Sequence, residues 1–502
     1  MSDGRPRLLY LAYFFPPCPA IGCVRTWNTA KRLTDLGWAV TVVTLRPNLW
    51  RDPEEPDKVE VAIADAGFKR ILTDHEWRML MPGYIRWIPG RLGWFMGGIC
   101  RVLARRFVAD AAVGWEPAVK RACAALKPGE FDLILATACP NVSFRLARWL
   151  GRRLACPFVM DYRDPWTGNP HGRRPDILRK SAAEEAVLLR DCAAATVVSP
   201  SWAKLIGDTF GVAGKVRVVS NGFEPAMFEA IRPNLFDHFT VVYAGALYPP
   251  KRVLDPVLKA FGVFAETPNG RSAKFHYYGD NGQAVREAAL RVGTSARVVI
   301  HGRVSRQAAL AAQKGADLVV VVASVEEKAG LADQGIISGK IFDCLALGRP
   351  SLVVAPQGSD LYSIAETAGG MRCFGGNDVA GMTAFISEIA SGKAPPRSNP
   401  GAYQWGEIAK TLDAVLKACL KPAAFCVPGL WMAFAANAAG AAAFPGDTAC
   451  VRVGANISSA CGLVGFSGTA VNPVAMRHCP SESSVLLSGA GDMPKFPAVG
   501  WE

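Results

Sequence analysis

"LLYLAYFFPPCPAIGCVRTWNTAKRLTDLGWAVTVVTL", residues 8–45, admits two readings, and the choice between them decides the fold. Arg5 and Arg7 precede a short apolar run that ends in small residues, which imitates an export signal. The run is brief, however, and stops at Pro16-Pro17. A segment of helical period around Thr26 to Leu36 follows, and then the apolar strand "AVTVVTL". Strand, Pro/Gly loop, helix, strand is the start of a parallel βαβ series. We therefore expect a cytoplasmic chain, on the membrane's inner face if it meets a membrane at all. No stretch reaches the roughly 18 uninterrupted apolar residues of a spanning helix.

The alternation continues. "FDLILAT", "PFVMDYR" and "AATVVS" read as strands, with helices around Val142 to Leu154 and Ile177 to Ala193 between them. Wholly apolar strands alternating with amphipathic helices predict a parallel sheet covered on both faces. The pattern pauses at an Asn-Gly turn in "VRVVSNGFEPAMF" (216–228), and a second series begins with "FTVVYAGAL". "KFHYYGD", "ARVVIHG", "ADLVVVVA" and "PSLVVAP" complete it. Two doubly wound, Rossmann-like domains are expected, at 1–228 and 236–398. A closing helix within 399–421 and an Ala/Gly/Ser-rich, poorly ordered tail at 422–502 follow. Ligands should sit between the domains, at the carboxyl ends of the strands.

The 502 residues suit two or three domains, and half are hydrophobic. A net charge of +13 favours anionic partners such as phosphorylated substrates or an anionic bilayer. The 14 cysteines sit singly in apolar runs and lack zinc-like spacing, so buried free thiols are expected and no metal.

Several loops carry candidate chemistry. In "PPCPAIGCVR", Gly22 allows close backbone approach, the helix start offers unpaired N–H groups to an anion, and Arg25 adds a guanidinium. A plain βα turn is the simpler alternative. No full G-x-G-x-x-G is present, which argues against a nicotinamide dinucleotide. The equivalent loop of the second series has Gly245 at a strand end and Lys251-Arg252 before the next helix, a candidate diphosphate clamp. Gly279 ends the next strand in the same way. In "DQGIISGKIFDCLALGRP" (333–350), Ser338-Gly339 precedes a helix carrying Lys340, suited to a phosphate, and Asp343, suited to ribose hydroxyls.

On the first domain, Asp161, Arg163 and Asp164 of "VMDYRDPWTG" fall just past a strand. Their carboxylates could bind or deprotonate an attacking hydroxyl, or simply form an Asp–Arg pair. Residues 81–107 hold five arginines, two tryptophans and no acid. Arg86, Trp87, Arg91 and Trp94 in this stretch suit an anionic bilayer surface or a lipid-borne acceptor. The cluster is too local for nucleic acid.

In their order and spacing, these pieces resemble the retaining family-4 glycosyltransferases of GT-B fold, over roughly residues 7–421. The resemblance rests on the opening βαβ unit, "VVSNGFEPAMF", "VVYAGALYPPKR", "GKIFDCLALGRPSLVV" and "YQWGEIAKTL". It implies transfer of a sugar from a nucleotide diphosphate to an acceptor hydroxyl, with no cofactor or obligatory metal. It also implies that Lys251 or Arg252 steadies the departing diphosphate and that Asp343 holds the ribose. "SGKIFDCLA" together with "DYRDPW" resembles a bacterial subgroup acting in surface polysaccharide synthesis, which puts acceptor activation on Asp164 or Asp161. The acceptor would then be a glycan or glycolipid. Some family positions differ. The first of two acids is Gly335, where the main chain of "GIISG" would meet the sugar, and the second is the shorter Asp343; an arginine is replaced by Ala246, and a first-domain histidine has no equivalent around "ATACPNVS". A weakened nucleotide-sugar-binding partner subunit and a sugar-nucleotide 2-epimerase are the competing readings.

Overall fold

The computed structural model describes residues 4–20, 22–50, 56–76, 110–170, 175–397 and 399–420. The bilayer-suited stretch with Arg86, Trp87, Arg91 and Trp94, and the tail from 421 onward, lie outside the described residues.

The strands form two sheets. The first contains β1 (Arg7–Leu11), β2 (Ala39–Leu45), β3 (Lys69–Thr73), β4 (Leu133–Thr137), β5 (Phe158–Tyr162), β6 (Ala194–Val197) and β7 (Val216–Val218). Its order is β3-β2-β1-β4-β5-β6-β7. The second contains β8 (Thr240–Ala244), β9 (Lys274–Tyr278), β10 (Val298–Gly302), β11 (Leu318–Val322), β12 (Ser351–Val354) and β13 (Met371–Phe374). Its order is β10-β9-β8-β11-β12-β13. All pairings are parallel. Chain order reverses at β1 in the first sheet, where Leu9 faces Thr41 on one side and Ile134 on the other. It reverses at β8 in the second, where Val241 faces Phe275 and Leu318. At each reversal the flanking helices diverge to opposite faces and leave a crevice at the strand ends.

The central strands β4, β5, β8 and β11 are buried throughout, which is why they read as unbroken apolar runs. The edge strand β3, "KRILT", opens on two cations and has no such run. The helix Trp405–Ala418 returns from the second domain to the first. Its Trp405, Ile408, Leu412 and Leu416 pack with Tyr10, Leu33 and Trp38. Burying each large apolar side chain contributes about 1.5–3 kcal/mol. The Trp38 indole N–H donates to Asp413 at 2.7 Å and fixes the helix register. Trp202, on the first-domain helix Pro200–Phe210, donates from Nε1 to the Ala332 carbonyl at 2.8 Å. Asp360 accepts from the backbone N–H and the hydroxyl of Ser201, both at 2.9 Å, and so caps that helix from the other domain. Among the described residues no helix is long and apolar enough to cross a membrane.

Candidate functional site

A cleft of about 520 Å³ lies where the carboxyl ends of the two sheets face each other. The first wall begins where β1 runs into the helix Cys23–Asp35. Gly22 sits at that helix's start, with no side-chain cap and no acid in the first turn. A Cβ on Gly22 would fall 2.3 Å from both terminal nitrogens of Arg163 and 2.6 Å from its Cζ, so the guanidinium's terminal edge is aimed at the glycine. Arg163 lines the cleft and has no hydrogen-bond or salt-bridge partner among the described residues.

Arg25 also borders the cleft, but its charge is spent. Its Nε and Nη2 grip Asp161 at 3.0 and 2.6 Å, and its other N–H bonds reach the Val219 and Ser220 carbonyls and Asn221 Oδ1. Arg25 is 4 % exposed and Asp161 1 %. Thr137 and Thr196 donate to the same carboxylate at 2.9 and 2.7 Å. Burial alone would raise the Asp161 pKa, but the Arg25 charge and these donors hold it below the usual carboxylate range. This corrects two expectations. Asp161 holds Arg25 and is not placed to take a proton, and Arg25 ties the first loop to the interdomain junction instead of presenting a free cation. Asp164 is exposed and does not line the cleft, so it is not placed to activate an acceptor there.

The second wall begins at Gly245, just past β8. Its φ of +135° is open to glycine and strained for other residues. A Cβ there would lie 2.1 Å from Cε and 2.4 Å from Nζ of Lys340. Lys340 opens the helix Lys340–Leu347 and lies over the Tyr243 ring at 6.0 Å. No carboxylate bonds its ammonium among the described residues. Burial, then the nearby Arg252 charge, pulls its pKa down to about 8, against partial support from Asp343. Asp343 lies one turn further along. Burial raises its pKa, and Arg306 Nη2 opposes this with a bond of 2.9 Å to Oδ1. Ser338, Gly339 and Gly279 complete this wall.

Three sequence-based expectations fall elsewhere. Lys251 does not line the cleft. Its Nζ binds Asp333 at 2.6 Å and Glu326 at 3.4 Å, which outweighs burial and holds its pKa above the ordinary lysine value. Arg252 packs 5.0 Å over the Tyr248 ring and acts on the cleft only through its charge on Lys340. Gly335 is buried, and its Cβ would strike the Trp202 indole at 2.2 Å. The missing side chain there makes room for a domain contact, so the main chain of "GIISG" does not meet a sugar at Gly335.

Arg303 and Arg306 line the cleft and were not singled out from sequence. The signal was present: "HGRVSR" follows the strand end of β10 and starts the helix Arg306–Gly315, the rule that found Lys251 and Arg252. Among the described residues, no group of three or more His, Cys, Asp or Glu side chains could hold a metal ion.

Residues 23–222 match the family model described as Glycosyl transferase 4-like domain. None of the curated proteins matches the sequence. Among solved structures, sucrose-phosphate synthase from Thermosynechococcus elongatus superposes with a TM-score of 0.51 at 14 % identity, covering 87 % of this chain and 100 % of that one. HepE from Anabaena in complex with UDP gives 0.50 at 12 % identity, over 82 % and 100 %. The fold is GT-B. On this frame the cleft just described lies between the two Rossmann-like domains, and the family match takes in Arg25, Arg163 and the junction up to Gly222, beginning just past Gly22.

Proposed function

We propose that the protein transfers a sugar from a nucleotide-diphosphate sugar to an acceptor hydroxyl, with retention, in the assembly of a cell-surface glycan. The acceptor is a lipid-linked or polysaccharide glycan, and the enzyme works in the cytoplasm, peripheral to the membrane. The family match over residues 23–222 supports the transferase reading. The membrane placement draws on the arginines and tryptophans of residues 81–107.

One observation carries the reading. Lys340 is an unpaired ammonium at a helix N-terminus, held against Gly245 inside the cleft. Both the ammonium and the helix dipole favour an anion there. In the transfer, the bond between the sugar C1 and the diphosphate oxygen breaks, and negative charge grows on that oxygen. A fixed cation beside it stabilises this charge more in the transition state than in the bound donor. We assign Asp343, one turn on in the same cleft, to the ribose hydroxyls, with Arg306 still bound to its Oδ1. The acceptor hydroxyl forms the new bond to C1, and its proton passes to the departing diphosphate oxygen.

Retention draws support from the carboxylates. An inverting displacement needs a base beside the acceptor. Among the described residues lining the cleft, Glu224 is paired with Arg32, Asp343 with Arg306, and Asp280 faces Arg303 at 3.5 Å. Transfer of the proton to the departing phosphate requires no such base.

The partner-subunit reading loses its main support, because Gly335 accommodates Trp202. A 2-epimerase would need acids and histidines poised for proton abstraction, and no histidine lines the cleft among the described residues. The test is a donor panel with mass detection. Nucleoside diphosphate should be released with one donor when a lipid-linked glycan acceptor is added, and binding without release would defeat the proposal.

A further inference from the structure

The two walls of the cleft repeat one device. On each, a loop glycine ends a strand-to-helix turn, and a cation rests where its Cβ would be: Arg163 on Gly22, Lys340 on Gly245. Each cation stands at the start of a helix, Cys23–Asp35 on one side and Lys340–Leu347 on the other. The remaining cations of the cleft are balanced. Arg25 is bound to Asp161, Arg306 to Asp343, and Arg303 faces Asp280. Arg163 and Lys340 alone, among the described cations lining the cleft, have no carboxylate. A guanidinium packed on a helix N-terminus that has no acid in its first turn sets two positive features side by side. An oxyanion between them would satisfy both, since the guanidinium fork and the first-turn N–H groups beyond Cys23, whose own N–H donates to the Ala20 carbonyl at 2.9 Å, are each suited to it. The Trp405 indole, 4 % exposed, lines the same cleft and leaves its Nε1–H without a partner among the described residues.

Resting on the transferase reading above, we propose that the first-domain wall holds a second anionic group, additional to the donor diphosphate. That group is a phosphate or carboxylate on the acceptor, bound by Arg163 and the first-turn amides of Val24 and Arg25. Arg163 is then a specificity-determining residue: it selects an acceptor by its anion and aligns the attacking hydroxyl with the sugar.

The experiment is calorimetric titration of the full chain in two stages. The first stage adds UDP, GDP, ADP or dTDP, and the second adds inorganic phosphate to protein saturated with the tightest of these. Wild type should take up phosphate with the nucleotide still bound. Arg163→Gln should weaken phosphate binding roughly ten- to a hundredfold, as expected for losing a charge-assisted contact. Nucleotide affinity should change less than about threefold. Gly22→Ala, which pushes the guanidinium aside without removing it, should weaken phosphate binding in the same direction. Equal loss of nucleotide and phosphate in Arg163→Gln would assign the guanidinium to the donor and overturn the proposal. A nucleotide-saturated wild type that takes up no phosphate would also overturn it. An Arg163→Gln defect confined to turnover of uronic-acid donors would move the anion to the transferred sugar, again against the proposal. Wild type that binds none of the four nucleotides would instead sink the transferase reading itself.

Discussion

Replacing Lys340 by methionine should make the protein more stable and worse at binding its donor. The ammonium is half-buried and has no carboxylate partner among the described residues, and its pKa is held at about 8 against an ordinary 10.5. At about 1.4 kcal/mol per unit, the charged form costs the folded state about 3 kcal/mol at pH 7. The sign follows from proton binding. Between about 8 and 10.5 the unfolded chain holds this proton and the folded chain does not, so wild-type stability rises with pH across that window. Below about 8 the full cost is present. Methionine keeps the side-chain length and removes the charge, so Lys340→Met should raise the thermal midpoint at pH 7. The ceiling is the same 3 kcal/mol, or up to roughly 10 °C for a domain of this size. It should also flatten the rise between pH 8 and 10. Differential scanning calorimetry at pH 7 and pH 9.5, with and without nucleoside diphosphate, reads all of these effects. Nucleoside diphosphate should stabilise wild type in proportion to the logarithm of its concentration, and the variant at least tenfold less effectively in concentration terms. A variant that is less stable at pH 7 and answers nucleotide like wild type would refute the reasoning, because the ammonium would then be serving the fold.

On the proposed function, the same ammonium should set the pH dependence of donor binding. Affinity for nucleoside diphosphate should fall as pH climbs through about 8, and Lys340→Arg should remove that fall, which calorimetric titration from pH 6.5 to 9.5 would measure. Asp161→Asn leaves the Arg25 guanidinium buried without its counter-charge, and should cost about 3–5 kcal/mol in chemical denaturation. The double variant Asp161→Asn/Arg25→Met should recover part of that loss. Gly335→Ala drives a Cβ into the Trp202 indole and should cost about 1–3 kcal/mol. The smaller Trp202→Leu should relieve the clash in a double-mutant cycle, with nucleotide affinity unchanged throughout.

The layered fold was legible because burial on both faces leaves a plain record in sequence. β4, β5, β8 and β11 are unbroken apolar runs, and the helices between them carry one apolar face each. β3 and β13 escaped that rule. Both are edge strands, half open to solvent, and "KRILT" and "MRCF" mix charge with apolar residues. Within the site, Lys340, Asp343, Ser338 and Gly339 could be placed from their position at a strand-to-helix turn. Whether a cation is free could not. That depends on which carboxylate the fold brings to it across the chain: Asp161 lies 136 residues from Arg25, and Asp333 lies 82 from Lys251. Gly335 shows the same limit. A glycine where an acid was looked for reads as a loss, until the indole of Trp202, from the other domain, is seen to fill the space.

The residues that looked most chemical in sequence therefore divide by pairing. Arg25 with Asp161, Lys251 with Asp333, and Gly335 against Trp202 fix where the walls stand. Arg163 and Lys340 have no carboxylate among the described residues and, on the proposed function, would meet what enters between them. This division follows from the energetics of buried charge. A cation with a carboxylate partner has little left to give a ligand, since binding would have to break an existing pair. A cation without one already carries its desolvation cost in the empty protein, and an arriving anion relieves that cost as it binds. The stability given up at Lys340 is accordingly available as affinity for a diphosphate, and most of it on the oxygen where charge accumulates as the sugar leaves. For this reason the Lys340→Met experiment should move stability and binding in opposite directions, whereas Asp161→Asn should lower stability through the wall that Arg163 rests on.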